Sequence, residues 1–478
     1  MARDAWLGVD LGTSGVKVVV VDSESAVVGE GEASYPVRSP RPGWAESDPG
    51  DWWEATVAAV RQALAAAGQP RIRAVGVDGQ MHGLVLARED ATPLRSALLW
   101  ADRRAAAELA AWRGLADTER EALANPLVPG MTGPLLAWIA RHEPRLLAEA
   151  RWALLPKDWL RLRLTGKAAT DPSDASATLL WDVPADTWSL PALRAAQLPA
   201  DLLPPLAASD DVAGVLTGDA AAELGMDLGT PVAVGAGDTP AALLATAAGE
   251  EQAQLTVGSG AQIVAATTDP SPVPGVHVYR TAERAGWYRM AAVQNVGVVV
   301  EWVRTLLGAT WEEVYAAAGE EPDRGGVVFL PHLTGERTPV LGMTGVLAGL
   351  RLDTDRTAVL RAAVEGVAFT IRHAAMMLPG GLPPVVRLAG GGSRDPRFRA
   401  LLANVLGVEL RPVRLRSASA VGAAHLAARA VGAGVARPEL HYEPVVSPTH
   451  HKEIYDVKFE VYLHHLRRNN HPTPENKH

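Results

Sequence analysis

Several short segments of this 478-residue chain combine carboxylates, hydroxyls and glycines in ways that suit phosphate chemistry. The first is Asp10-Leu11-Gly12-Thr13-Ser14-Gly15-Val16-Lys17, a carboxylate at the end of an apolar run, then a glycine and hydroxyl turn, then a cation. Glycines let backbone N–H groups come close to an anion, and Thr13 and Ser14 add hydroxyl donors. Lys17 adds positive charge, and Asp10 is suited to hold a hydrated Mg²⁺ beside a phosphate. The same residues also serve an ordinary hairpin, in which Asp and Ser bond their own backbone. A Walker A loop and a dinucleotide fingerprint are both excluded, because Lys17 falls on the following strand and no helix opens at the glycines.

Gly258-Ser259-Gly260 repeats the glycine and hydroxyl turn in the second half of the chain. Alone it is a tight hairpin; paired with the first, it would grip a polyphosphate from the other side of a cleft, as in the actin-like ATPases. Between the two lies Gly235-Ala236-Gly237-Asp238-Thr239-Pro240, a carboxylate at a strand end just before a helix. Asp is a good helix N-cap, worth about 1 kcal/mol. The chemical alternative is a general base that takes the proton of a substrate hydroxyl during phosphoryl transfer. In Leu388-Ala389-Gly390-Gly391-Gly392-Ser393-Arg394 the backbone free of side chains suits a flat adenine or a ribose, although strand-to-helix packing also calls for glycine. Finally, Gly79-Gln80-Met81-His82-Gly83 offers an amide, a thioether and an imidazole, a mixture of polar and apolar contacts for a sugar, while a lone His is commonly structural.

The elements that must position these residues follow from hydrophobic periodicity. Residues 6–9, 16–21 and 26–29 read as three short strands joined by tight turns, an antiparallel meander. Residues 51–67 read as a helix with Trp52, Trp53, Val57, Val60 and Leu64 on one face, and residues 72–77 as a buried strand. The pattern restarts later, with strands at 231–234, 254–257 and 263–266, so the chain is a diverged internal repeat of two similar lobes. The polar break at 249–252 divides it into domains 1–249, carrying the sugar contacts and the first phosphate turn, and 250–440, carrying the nucleotide. Residues 441–478 form a C-terminal helix and tail: 455–466 is an amphipathic closing helix and 469–478 a loose end. This stretch holds seven of the thirteen histidines, without the fixed spacing of a metal site.

Composition narrows the function. A chain this long exceeds one hydrophobic core, and two lobes imply a cleft. The formal net charge of −9 argues against nucleic acid or an anionic membrane, both of which need a basic face, and favours a small-molecule ligand. With no cysteine there is no disulfide framework and no thiolate chemistry, and the cytoplasm is the expected compartment. The first residues carry no apolar core of a signal peptide, and 16–21 is too short to span a membrane. A homodimer is among the assemblies this composition allows.

Taken together, these residues resemble the FGGY family of carbohydrate kinases, and within it the bacterial xylulokinases, over residues 6–429. Gly79-Gln80-Met81-His82-Gly83 is similar to the hallmark of that group, and Leu155-Pro156-Lys157-Asp158-Trp159-Leu160-Arg161-Leu162-Arg163 and Gly335-Glu336-Arg337-Thr338-Pro339 to further signatures. The resemblance implies an α/β, two-domain ribonuclease-H/actin-like ATPase fold with a central interdomain cleft. It implies ATP and Mg²⁺ as cofactors, with the nucleotide held by Gly12, Thr13, Ser14, Lys17, Gly258, Ser259, Gly260, Gly390, Gly391 and Gly392, and with Asn404 near the adenine. Asp238 would be the base, Asp10 the carboxylate on the metal side, and Gln80, Met81, His82, Trp100, Asp102 and Thr239 the sugar contacts. The implied reaction is phosphorylation of D-xylulose to D-xylulose 5-phosphate. Two departures leave other ketoses and polyols, ribulose among them, open: Trp100-Ala101-Asp102 stands where those enzymes carry Trp-Asn-Asp, and Gly237-Asp238-Thr239 where they carry Gly-Asp-Asn. An actin-like nucleotide switch would share the two hairpins but have no use for the 79–83 loop or for a base at Asp238.

Overall fold

The computed structural model describes residues 4–246, 253–322, 326–333, 344–436 and 438–469. The expected domain break at 249–252, the segment Gly335-Glu336-Arg337-Thr338-Pro339 and most of the tail lie outside the described residues.

The first lobe is built on the expected meander. Strands β1 (Asp4–Leu11), β2 (Gly15–Asp22) and β3 (Val27–Ser34) pair antiparallel in sequence order. β1 is apolar almost throughout and is buried on both faces, as a central strand must be, whereas β3 alternates between buried and exposed positions at an edge. Helix α1 (Pro49–Ala66) is started by Asp48, whose carboxylate accepts from the Gly50 N–H at 2.8 Å, with Pro49 at the first helical position. Strand β4 (Arg71–Gly79) then runs parallel to β1. The sheet is completed by β5 (Val212–Val215), β6 (Pro231–Ala233) and β7 (Ala236–Gly237), in the order β5-β6-β4-β1-β2-β3 with β7 beside the end of β4.

The second lobe repeats the plan. Strands β8 (Ala253–Val257), β9 (Ala261–Thr267), β10 (His277–Arg280), β11 (Trp287–Val293), β12 (Val385–Ala389), β13 (Glu409–Arg414) and β14 (His441–Tyr442) take the order β10-β11-β9-β8-β12-β13-β14. In each lobe an antiparallel meander is followed by two strands parallel to its first member: β3-β2-β1-β4-β6 in one and β11-β9-β8-β12-β13 in the other. The repeat read from two short glycine turns is therefore a repeat of whole sheets.

Among the helices, α2 (Pro156–Thr165), α3 (Pro172–Ala175) and α4 (Asp238–Thr246) belong to the first lobe, and α5 (Arg356–Ala375) and α6 (Pro396–Leu406) to the second. Helix α7 (Ala418–Ala430) comes from the second half of the chain but lies on the first sheet beside α4. Its approach is backbone to backbone: a Cβ on Gly76 would fall 1.8 Å from the Ala423 carbonyl oxygen, and one on Gly422 of α7 itself 1.9 Å from that of Ala241. Only glycine permits both contacts. Helix α8 (Lys452–Asn469) extends the expected closing helix, and its Tyr455, Phe459, Tyr462 and Leu466 pack into the second-lobe core together with Phe369 of α5. Residues 441–469 thus pack as part of the second lobe, with β14 on its sheet. No helix among the described residues is long and apolar enough to cross a membrane.

Candidate active site

Three carboxylates meet where the parallel strands of the first sheet end. Asp10 on β1 and Asp78 on β4 are direct neighbours in register, Ala236 of β7 is the partner of Asp78 on its other side, and Asp238 follows two residues later. Asp10 accepts a hydrogen bond from the Ser419 hydroxyl of α7 at 2.6 Å and faces Lys17 across the β1–β2 ladder. Burial nevertheless holds the Asp10 carboxyl above the usual range, against the pull of Ser419 and Lys17. Asp78 is fully buried, and neither of its oxygens meets a side-chain or backbone donor among the described residues. Burial first, then the charges of Asp10 and Asp238, push its carboxyl well above the ordinary value.

Both turns expected to hold phosphate are tight hairpins closed on their own backbone. The Gly12 N–H closes the first hairpin on the Gly15 carbonyl at 3.0 Å, and the Gly12 carbonyl accepts from Tyr35 and, at 3.2 Å, from Gln80 Nε2. Trp100 donates its indole N–H to Thr13 Oγ1 at 2.9 Å, while Ser14 and Lys17 are exposed. In the second hairpin the Gly258 N–H reaches the Gly260 carbonyl at 2.7 Å and Ser259 is exposed. Gly390 leads out of β12 into a single 3-10 turn over Gly391–Ser393, in front of α6. Asn404 of α6 accepts from the Thr449 N–H at 2.6 Å and from its hydroxyl at 3.0 Å, and lines a cavity of about 290 Å³ with Gly319, Arg397, His451 and Tyr455.

Asp238 opens α4, with Oδ1 accepting from the Thr239 N–H at 2.5 Å. Pro240, two residues on, has no N–H to offer the carboxylate. Met81 packs directly under this turn: a Cβ on Gly237 would lie 2.7 Å from Met81 Cγ. The Met81 sulfur accepts from the Tyr288 hydroxyl of β11 at 3.6 Å, and burial, with Tyr279 and Asp238 nearby, pushes that phenol well above its ordinary value. His82 adopts a left-handed backbone with φ of 65°. Its Nδ1 lies 2.6 Å from the Ala177 carbonyl, which only accepts, so Nδ1 carries the proton. The Thr239 hydroxyl lies 3.3 Å from the Gln262 side chain of β9 in the other lobe.

Residues 155–163 have a structural task beside this site. Lys157 Nζ sits 2.6 Å from Asp158, 3.0 Å from Asp171 and 3.3 Å from Asp174, and Arg161 lies 2.9 Å from Asp158, all with no exposed surface. Burial alone would lower the Lys157 pKa, but the three carboxylates outweigh it and hold the ammonium above its usual range. The knot also grips the approach to Asp238: Arg161 donates to the Val234 carbonyl at 2.7 Å, and Ser173, two residues past Asp171, accepts from the Gly237 N–H at 3.2 Å.

Two expected sugar contacts also make structural hydrogen bonds. Asp102 is fully buried and spends its oxygens on the Ala45 N–H at 2.7 Å and on the Arg104 guanidinium at 2.8 and 2.9 Å, so it holds the loop that carries Trp100. Gln80, 2% exposed, ties the first hairpin to the end of β4 through the bond to Gly12. Asp78, Ser419, Gln262 and Tyr288 were not expected. Asp78 carries the signal that marked Asp10, a carboxylate ending a buried strand before a glycine; the others arrive from distant segments.

Residues 5–245 match the N-terminal domain, and residues 253–431 the C-terminal domain, of the FGGY family of carbohydrate kinases. The chain is 34% identical over 414 residues to the xylulose kinase of Escherichia coli strain K12, covering 85% of each. It is 33% identical over 460 residues to the glycerol kinase of Alkalilimnicola ehrlichii, covering 91% of this chain and 92% of that one. The crystal structure of a xyloylose kinase from Brucella ovis superposes with a TM-score of 0.89 at 33% identity, over 97% of this chain and 99% of that one. With its two lobes, paired hairpins and carboxylates at the strand ends, the chain belongs to the FGGY family of carbohydrate kinases.

Proposed function

We propose that the chain transfers the γ-phosphoryl group of ATP to the C5 hydroxyl of D-xylulose, giving D-xylulose 5-phosphate. The observation that carries this reading is that Asp10, Asp78 and Asp238 come from the adjacent ends of β1, β4 and β7 beside the first glycine hairpin, with Met81 under Gly237 and with Thr239 against Gln262, two residues after the second hairpin. In this reading Asp238 accepts the C5 proton, while the Met81–His82 loop and Trp100 hold the sugar. The exposed N–H groups and hydroxyls of the two hairpins, with Lys17, orient the phosphates, and the Gly390 turn and the cavity beside Asn404 receive the nucleoside. Phosphoryl transfer passes through a loose transition state, so these residues act chiefly by positioning and by offering donors where charge develops. Mg²⁺ would neutralise the β and γ oxygens, and Asp10, with Asp78 next to it, would hold it. These hard oxygen ligands suit Mg²⁺, an ion that commonly keeps waters and substrate oxygens in its shell. The lobes divide at 249/250, and the absence of cysteine fits a reducing cytoplasm.

A second reading, a polyol kinase, is favoured by the glycerol kinase relative and by Ala101 and Thr239, both shorter than the amides that xylulokinases carry there. A panel of ketoses and polyols in a coupled ADP-release assay separates the two, since a site built to bond a hydroxyl strongly rejects analogues without it. In the same assay Asp238→Asn loses about 10²- to 10⁴-fold in turnover while ATP binding stays near normal. Wild-type turnover in that variant would remove Asp238 from the chemistry.

A further inference from the structure

The base of one lobe is in hydrogen-bond contact with a side chain of the other. Thr239 Oγ1 lies 3.2 Å from Asp238 Oδ1 and 3.3 Å from Gln262 Oε1. A threonine hydroxyl has a single proton and cannot serve two acceptors fully. The carboxylate is the stronger acceptor and takes that proton. The oxygen and nitrogen of a glutamine amide exchange places by a half-turn, so the consistent arrangement presents Gln262 Nε2–H to the hydroxyl lone pair. The chain of donors then runs from Gln262 through Thr239 to Asp238.

Gln262 is half-buried on β9, two residues after Gly260, where it pairs with Thr256 of β8 and Ala292 of β11. One rigid pair of strands therefore carries both the second phosphate hairpin and Gln262. Any movement of the second lobe that places the hairpin on the phosphates also sets Gln262 against Thr239. We propose that Gln262, acting through Thr239, is a positioning residue that orients the Asp238 carboxylate and ties that orientation to closure of the second lobe. The inference rests on the reading of Asp238 as base. It gives Thr239 a task other than the sugar contact expected from sequence. The ionisable groups facing Asp238, Asp78 from β4 and Tyr288 from β11, take no part in the link and stay in place when it is cut.

The test is steady-state kinetics with ATP and D-xylulose, as pH profiles of kcat, on Gln262→Met, Thr239→Val, their double variant, Thr239→Ser and Asp238→Asn. Losing one donor to the carboxylate should lower kcat about 3- to 10-fold. It should also move the acid limb of kcat to higher pH, with the sugar KM unchanged. The double variant should be no slower than Thr239→Val, because the link is already cut, and Thr239→Ser should recover most of the rate. Unchanged kcat and acid limb in both single variants, additive losses in the double variant, or a raised sugar KM with intact kcat would each overturn the proposal. The outcomes also separate the two readings. An inert Asp238→Asn beside wild-type single variants removes only the link, whereas an active Asp238→Asn removes the base and the link with it.

Discussion

Acid should loosen the helix that supports Asp10, through a histidine far from the substrate. His425 lies on α7 with 7% of its surface exposed, and its Nε2 is 3.0 Å from Ser25 Oγ in the β2–β3 turn. Ser25 gives its own proton to the Ala436 carbonyl, so it accepts from His425, and Nε2 carries the imidazole hydrogen. A second proton would have to enter a ring that is largely buried. Burial, with Arg429 adding to it, depresses the imidazole from the usual 6.5 to about 4. Between those two values the unfolded chain binds the proton more readily than the folded one, so this contribution to stability is complete above pH 6.5 and is lost as pH falls towards 4. The gap is worth about 3 kcal/mol in full, and about 2 kcal/mol of it is already lost at pH 5. His425→Gln keeps a donor for Ser25 and removes the titration. Urea unfolding of both chains from pH 7.5 to 4.5 should show wild type falling more steeply than the variant by about that amount. Parallel stability curves would refute the reasoning. Because α7 also carries Ser419, the same loss of stability reaches the hydrogen bond to Asp10.

Replacing Lys157 by Met should destabilise the fold by about 3–5 kcal/mol, since it leaves Asp171 and Asp174 buried without their cation and Asp158 with Arg161 alone. The urea midpoint measures it, and an unchanged midpoint would mean that the knot is already neutralised by protons. Gly237→Ala should raise the sugar KM several-fold and leave the ATP KM alone, because the new Cβ meets Met81 Cγ at 2.7 Å and displaces a flexible side chain rather than backbone. A matching rise in the ATP KM would place Met81 outside the sugar pocket.

What could be read from the sequence was local. Asp10, the two hairpins and Asp238 each announce themselves within a few residues, because a strand end followed by glycine has a recognisable composition, and the restart of that pattern revealed the second lobe. Asp78 bears the same local signature, but it stands four residues before His82, a side chain of more evident chemistry. Ser419 and Gln262 had no local signature: the first reaches Asp10 from 409 positions along the chain, and the second reaches Thr239 only once the lobes are assembled. Asp102 shows the converse. Its residue type suited a sugar, but the partner that claims it, Arg104, is two residues away and drawn inward with it. Sequence reports which residues are chemically able, and tertiary packing decides which of them are left facing the cleft.

The same packing explains why an acidic floor suits an anionic substrate. Asp10, Asp78 and Asp238 gather at the strand ends, and Lys17, the cation opposite Asp10, is exposed to solvent. Lys157 and Arg161 lie behind them but are committed to Asp158, Asp171 and Asp174. A polyphosphate brought alone against this surface would meet like charge at close range, which a partly desolvated cleft makes more costly than water would. A divalent cation reverses the sign of that interaction, because the carboxylates that repel the phosphates attract the ion between them. In the proposed reaction the protein would supply donors at the two hairpins and acceptors at the strand ends, with the chemistry beside Asp238.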